Sequence, residues 1–225
     1  ILIMLVLIIL SKLIFNKWWF KGGLRYESQF AMIFNNATFL GYPIVVNTFG
    51  PSGVIAYCGF MIAFNIALFS YGIWLFERKI TPKLFKSVVT NPNIIAVLLG
   101  MILFLANLHL PSFITDAIGY VGGATTPLSI ICIGFMLSRA DFGAIFKKWR
   151  LVVTALIQLI LGPLVTYFLL VWLKFPAEVV QVCTLIQALP TATSLGLFAT
   201  KYGGNNIESS ELVALSTLLS VVTMP

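Results

Sequence analysis

The chain has 225 residues, of which 60% are hydrophobic and only 9% carry a charge. A soluble domain has about a quarter of its residues charged, so this composition excludes a soluble protein and indicates an integral membrane protein. The net charge of +7 follows from where the basic residues lie in the membrane topology and needs no nucleic acid partner.

Eight apolar segments follow one another, and most have the length at which a helix crosses hydrocarbon, about 17 to 25 residues. They predict an all-α polytopic membrane protein with about eight transmembrane helices. The first segment is too short to cross at full thickness and the chain begins with Ile1, so we expect a piece of a longer protein. In chain order the predicted spans are 1–15, 28–49, 53–76, 91–109, 116–138, 148–173, 176–201 and 207–225.

The positions of lysine and arginine test this span count, because these residues accumulate in short cytoplasmic loops. If the eight spans alternate in direction, 13 of the 14 basic residues fall on one side and only Lys174 falls on the other. We therefore expect a multi-pass protein of the plasma (cell inner) membrane, with Ile1 and Pro225 on the outer face. The three cysteines lie inside apolar spans and predict neither a disulfide framework nor a metal site, and no cofactor is expected.

Two spans carry amide and hydroxyl side chains around a proline, at a depth where a bilayer tolerates a broken helix only beside protein or a watery cavity. In span 28–49 we expect Pro43 and Gly41 to unwind the helix, because proline lacks an N–H and clashes with the preceding turn. In span 176–201 Pro190 predicts a second break near mid-depth. The candidate substrate-binding residues are Asn35, Asn36, Thr38, Pro43, Gln187, Pro190, Thr191, Thr193 and Ser194.

An isolated proline can simply kink a membrane helix, but these two stand in matched places. Pro190 follows Pro43 by 147 positions, and the two helices enter from opposite faces, as in an inverted repeat. Spans one to three then repeat as spans six to eight, and two further spans would precede Ile1. The amino end of each half-helix has free N–H groups that suit a carboxylate. Asn65 could line the same cavity or bond a neighbouring helix.

The bodies of the predicted spans contain no acidic or basic residue. Such residues mark proton relays and most intramembrane catalytic centres, so their absence argues against a proton pump and a carboxylate-ligated sodium site. An enzyme is the least expected class, because no nucleophile and base can be paired among the membrane-embedded residues.

Four parts of the chain resemble the auxin efflux carrier family. Residues 36–43, reading NATFLGYP, are similar to the family's fourth helix, and residues 126–137, reading TPLSIICIGFML, to its seventh. Residues 187–190 with 199–203 resemble its ninth helix, and 216–225 its tenth.

The resemblance implies ten helices in two inverted halves, whose fourth and ninth helices cross at their breaks, and it implies a homodimer. Residues 1–90 then correspond to first-half transport helices three to five, 91–146 to scaffold and dimerisation helices six and seven, and 147–225 to second-half transport helices eight to ten. The first two helices of the family pattern are absent, and the short connection between family helices five and six indicates a compact, bacterial-type form. The resemblance places Asn36, Pro43, Gln187 and Pro190 at the crossing.

Family members resembling this chain export auxin in plants, and bacterial relatives move malate, malonate and similar carboxylates. We therefore expect a secondary transporter, an efflux carrier for a small organic anion such as a mono- or dicarboxylate or an auxin-like acid. It would alternate access around the two proline-broken helices. A sodium-coupled carrier of the bile-acid type and a passive anion channel remain as alternatives. The expected partners are the organic anion, the lipid bilayer and a second copy of the chain.

Overall fold

A computed structural model of the protein describes residues 1–16, 20, 24–78, 89–90, 92–138 and 142–224. These residues form helices and one isolated two-residue bridge, without a β-strand, which confirms an all-α polytopic membrane protein. Six of the basic residues used to predict the topology lie outside the described part: Lys17, Lys21, Lys79, Lys83, Lys86 and Arg139.

The helices follow the predicted apolar spans in order. π-Helical turns at Ala37–Gly41 and Leu68–Gly72 lie directly before and directly after the third α-helix. The α-helices are α1 (Leu2–Ile14), α2 (Leu24–Ile33), α3 (Tyr42–Ala67), α4 (Ile73–Glu77), α5 (Pro92–Leu105), α6 (Ser112–Gly123), α7 (Thr125–Ser138), α8 (Phe142–Lys147), α9 (Trp149–Trp172), α10 (Ala177–Ala188), α11 (Ser194–Tyr202) and α12 (Asn206–Thr223).

Within the described residues, three helical stretches are long and apolar enough to cross a membrane: Ala37–Glu77, Ser112–Phe135 and Trp149–Trp172. Shorter apolar helices occur at Leu2–Ile14, Ile94–Leu105 and Ala177–Ala188. Helix α10 is short because it ends at a break partway along predicted span 176–201.

The stretch Ala37–Glu77 reverses direction at Gly50, where the backbone leaves helical geometry with φ 65° and ψ −156°. Glycine adopts this positive φ without a Cβ clash, and Pro51 then starts the next helical run. Beyond the turn, the Tyr57 hydroxyl donates a hydrogen bond of 3.0 Å to the Ala37 carbonyl. Twenty residues of straight helix would separate these groups by about 30 Å, so the stretch consists of two antiparallel arms. The reversal falls between predicted spans 28–49 and 53–76.

The four connections predicted to share the basic side contact one another in two pairs. The Lys148 ammonium pairs with the Glu211 carboxylate at 2.7 Å, linking the start of α9 to the first turns of α12. The Arg78 guanidinium stacks 3.9 Å from the ring centre of Tyr26, linking the end of α4 to the start of α2. These contacts agree with the alternation of spans deduced from charge.

An aromatic layer packs α2 and α11, one half of each interrupted helix, against the arm that ends at α4. The Phe30 ring lies 4.8 Å from that of Phe34 and 5.3 Å from that of Phe198. Gly72 faces all three rings, and a Cβ placed there would come within 3.4 Å of each. The absence of a side chain at Gly72 therefore allows the layer to close.

We expect Gly72→Val to lower the free energy of unfolding by about 1–3 kcal/mol, because two branched methyl groups would overpack this layer. Thermal unfolding of the full-length protein in detergent measures the change. Gly59→Val is the matched control, since a Cβ at Gly59 meets nothing within 4 Å on the same helical stretch. Equal melting temperatures for the two variants would contradict the tight packing described at Gly72.

Candidate transport site at the crossing of two interrupted helices

The first interruption lies at Phe34–Asn36, between α2 and the π-helical turn Ala37–Gly41. The prediction that the helix unwinds around Gly41 and Pro43 was wrong in position, since both residues are helical. Pro43 is tolerated there because it occupies the first turn of α3, just after the wider π turn in which the Gly41 N–H bonds the Asn36 carbonyl at 3.2 Å. The break therefore comes earlier in the chain than its proline.

The second interruption lies at Leu189–Thr193, between α10 and α11, where Pro190 predicted it. Leu189 is extended, with φ −66° and ψ 153°, the conformation that a following proline favours. Helical hydrogen bonding begins again where the Leu195 N–H donates to the Ala192 carbonyl at 3.0 Å.

The two interruptions cross and hydrogen-bond to each other. The Asn36 N–H donates to the Pro190 carbonyl at 2.7 Å, and the Ala192 N–H donates to the Phe34 carbonyl at 3.0 Å. These bonds make a short antiparallel bridge between Asn35 and Thr191. A bilayer offers no water to the backbone groups that a broken helix frees, so each break supplies the partners that the other needs.

Buried side chains complete the hydrogen bonding of the second break. The Gln158 amide, from the middle of α9, donates to the Leu189 carbonyl at 2.7 Å and accepts from the Thr191 hydroxyl at 3.0 Å. The Ser216 hydroxyl, from α12, accepts from the Thr191 N–H at 3.1 Å. Gln158 is not among the site residues predicted from the sequence, although a single glutamine in the centre of a 24-residue apolar helix is a usable signal.

The side chains of the two breaks also meet directly. The Asn35 amide donates to the side-chain carbonyl of Gln187, although 152 positions separate the two residues. Three buried polar atoms of this group have no hydrogen-bond partner in the described part of the chain: Asn35 Oδ1, Asn36 Nδ2 and Gln187 Nε2. Buried polar groups are normally paired, so these atoms mark a place where a ligand or a rearrangement would supply partners.

A cavity of about 390 Å³ opens beside the crossing, a volume in the range of small-molecule sites. Five of the nine predicted site residues line it: Asn35, Asn36, Thr38, Thr193 and Ser194. The apolar wall consists of Phe39, Met61, Phe64, Leu68, Phe69, Ala96 and Ala192. The other four predicted residues, Pro43, Gln187, Pro190 and Thr191, do not line the cavity.

Gln187, Pro190 and Thr191 instead hold the crossing together through the hydrogen bonds given above. Pro43 takes part in neither the described crossing bonds nor the cavity wall. Asn65 does line the cavity, and its amide nitrogen already donates to the Met61 carbonyl one turn earlier at 2.8 Å. Both alternatives raised for Asn65, a cavity residue and a locally bonded amide, therefore apply in part.

The amino ends of two helical segments border the same cavity. Asn36 and Thr38 belong to the start of the Ala37–Gly41 turn, and Thr193 and Ser194 to the start of α11. The first N–H groups of a helix have no partner within it, and they carry partial positive charge. No acidic or basic side chain is among the described residues that line the cavity.

An all-helical membrane protein whose two interrupted helices cross beside a neutral polar cavity has the architecture of a membrane transporter. The chain belongs to the membrane transport protein family, the auxin efflux carrier-like transporters, whose family model matches residues 1–225. This confirms the family resemblance seen in the sequence.

Two relatives carry the name uncharacterized transporter. One, from Methanothermobacter thermautotrophicus, is 28% identical over 193 residues, which is 84% of this chain and 63% of the relative. The other, from Methanocaldococcus jannaschii, is 25% identical over 190 residues, 80% of this chain and 59% of the relative. The chain thus spans about three fifths of the length of these relatives.

Proposed function

We propose that the protein is a secondary carrier of a small organic anion, a mono- or dicarboxylate or an auxin-like acid, with Asn36 as the central binding residue. The observation that carries the proposal is the convergence of two helix amino ends and an unpaired Asn36 amide nitrogen on one cavity. N–H donors and positive helix ends stabilise a carboxylate without a buried countercharge. The substrate leaves chemically unchanged.

The cavity wall supports an anion with an apolar part. Phe39, Phe64 and Phe69 line the cavity together with the polar groups. Neutral donors bind a carboxylate less tightly than a buried lysine or arginine would, and a carrier must also release its substrate. An inside-negative membrane potential favours export by about 2.3 kcal/mol per charge at 100 mV, so export needs no co-transported ion.

A counterflow experiment with the full-length protein in liposomes tests the proposal. Labelled malate, malonate and indole-3-acetate serve as probes, with the unlabelled compound inside the vesicles. A carrier gives saturable uptake that internal substrate accelerates. Non-saturating flux without counterflow would identify a passive channel, and uptake that disappears when sodium is replaced by potassium would identify the sodium-coupled alternative. The absence of uptake of all three probes would contradict the proposed substrate class.

We further propose that residues 1–90 and 147–225 form the moving transport domain and that residues 91–146 form the scaffold through which two copies pair. Helix α6 supports this division, because it has no buried residue and exposes Phe113, Tyr120 and Val121. A cysteine at Tyr120 in the full-length protein is expected to cross-link two copies in membranes, and a purely monomeric product would contradict the pairing.

The proposed location is the plasma (cell inner) membrane, with the basic end of the bundle on the cytoplasmic side. The 13-to-1 distribution of basic residues supports this orientation. Labelling of a cysteine introduced at Lys174 by an impermeant reagent added to intact cells tests it, since that position is expected outside.

A further inference from the structure

Glu27, at the start of α2, is a fully buried acidic residue with one unsatisfied oxygen. Its side chain has 0% exposure. Oε1 accepts a hydrogen bond of 2.7 Å from the Asn205 N–H, whereas Oε2 has no hydrogen-bond partner among the described residues. Both oxygens of a carboxylate excluded from water normally have hydrogen-bond partners. A buried carboxyl group with only one partnered oxygen is therefore unusual.

The backbone at Gly204 and Asn205 packs closely against Glu27. Gly204, next to Asn205, is so close that a Cβ there would lie 2.9 Å from Glu27 Oε1 and 2.7 Å from the Phe76 ring. Glu27 therefore sits in a tight pocket between α2, α4 and the turn that joins α11 to α12, and the nearby Gly204 leaves no room for a side chain.

The charged groups near Glu27 in the described part of the chain do not form an ion pair with its carboxyl group. Arg78, at the end of α4, stacks on the Tyr26 ring, and Glu208 lies in the first turn of α12. The other described cations of the neighbouring elements contact rings, a carbonyl or another carboxylate: Lys12 on Tyr71 and Trp74, Arg25 on the Phe15 carbonyl, Lys148 on Glu211, Arg150 on Trp149 and Lys201 on Tyr202. Among the described residues, Glu27 has no ion pair.

Glu27 lies just before predicted span 28–49, at the basic end of the bundle. Burial raises the pKa of its carboxyl above the ordinary value, and this outweighs the Asn205 N–H, the backbone N–H of Glu27 itself and Arg78, which lower the pKa. Glu208 raises it further. Because the folded-state pKa exceeds the unfolded value, the stabilisation by the bound proton is complete below the unfolded pKa. It is lost as the pH rises through the folded pKa.

Glu27 also connects the two helices that cross. Helix α2 leads into the first interruption, and the turn carrying Asn205 follows α11, which comes directly after the second. The hydrogen bond between Glu27 and Asn205 thus ties together the ends of these two segments, on the side away from the crossing. Both segments belong to the proposed transport domain, so a rearrangement within that domain that separates α2 from the α11–α12 turn must break this tie.

We propose that Glu27 is a proton-binding site, that its bound proton holds α2 and the α11–α12 turn together, and that loss of the proton lets them separate. The proton is exchanged with water at Oε2: the O–H bond forms when a hydronium ion gives up its proton, and breaks when water takes the proton back. An ionised Glu27 gains hydration only if the pocket opens, so deprotonation favours the open state. The link to transport rests on the proposed carrier function, whereas the proton site itself does not.

Infrared difference spectroscopy of the full-length protein in lipid tests proton binding directly. A pH titration is expected to show the carbonyl band of a protonated carboxyl that disappears as the pH rises. Glu27→Gln, an isostere of the protonated form that keeps the acceptor for Asn205, should lack this band. Asp116→Asn, which changes an exposed carboxylate on α6, should keep it. An identical titration in wild type and Glu27→Gln would overturn the proposal.

Hydrogen–deuterium exchange tests the conformational consequence without any substrate. Wild-type amides at 203–206 should exchange faster than those of Glu27→Gln at high pH and equally fast at low pH. Comparison at each pH removes the intrinsic pH dependence of exchange. If wild type and variant exchange alike at all pH values, Glu27 does not control the tie.

The transport assay separates failure of this inference from failure of the carrier function. If the probe carboxylates are carried, their flux should depend on pH in wild type and lose that dependence in Glu27→Gln. Flux with the same pH profile in both proteins would overturn the coupling and leave the carrier intact. Absence of flux would contradict the carrier, while the infrared and exchange results would still decide the proton site.

Discussion

Replacing Asn36 by alanine is expected to lower carboxylate flux at subsaturating substrate by about ten- to hundred-fold while the protein stays folded. A hydrogen bond to a charged group contributes about 1.5–3 kcal/mol, and about 1.4 kcal/mol corresponds to a factor of ten. The Asn36 amide nitrogen has no partner among the residues that the structure describes, so its removal leaves none of their polar groups unsatisfied. The crossing itself uses the Asn36 backbone N–H, which the substitution retains.

Initial rates of counterflow in liposomes, together with thermal unfolding, measure this prediction. Asn47→Ala is the matched control, because it removes an exposed asparagine whose amide donates to the Pro43 carbonyl, away from the cavity. The control should transport at the wild-type rate. Unchanged flux in Asn36→Ala, or an equal loss in both variants, would remove Asn36 from the substrate site.

Replacing Gln158 by leucine is expected to destabilise the protein by about 2–4 kcal/mol. The change removes two buried hydrogen bonds and leaves the Leu189 carbonyl and the Thr191 hydroxyl without a described partner, each at a cost of about 1–3 kcal/mol. The Leu189 carbonyl lies in the interruption, so no helical N–H replaces the Gln158 amide as its donor. Unfolding of the full-length protein in detergent should therefore show a clear drop in melting temperature.

Gln181→Leu provides the comparison, since it makes the same substitution at an exposed position of α10. It should change stability little. If Gln158→Leu melts at the same temperature as Gln181→Leu, the second interruption does not depend on Gln158 for its stability, and its geometry must be maintained by the backbone bonds and Ser216 alone.

The membrane class, the order of the spans and the second interruption could be predicted because they depend on local chemistry. Apolar length sets what can cross a bilayer, and Pro190 imposes an extended residue before it wherever it occurs. The reversal at Gly50 and Pro51 is of the same kind, since glycine permits the positive φ and proline cannot continue the preceding helix.

The first interruption could be predicted to exist but not placed. Local rules put it at Pro43, whereas the structure puts it at Phe34–Asn36, because that segment finds backbone partners at Pro190 and Ala192. Those partners lie more than 150 positions away in the chain, beyond the reach of any rule about neighbouring residues. The wide turn at Ala37–Gly41 then absorbs the proline without a second break.

The sequence by itself determined that this protein is a membrane transporter with two polar, proline-marked helices, because hydropathy, charge asymmetry and family motifs all act along the chain. Only the tertiary structure decided which of the polar residues line the cavity and which hold the crossing. It also decided that Gln158 supports the second break and that Glu27 is buried against Asn205. The physical reason is that a buried polar group is defined by its partners, and here those partners come from helices far apart in the chain.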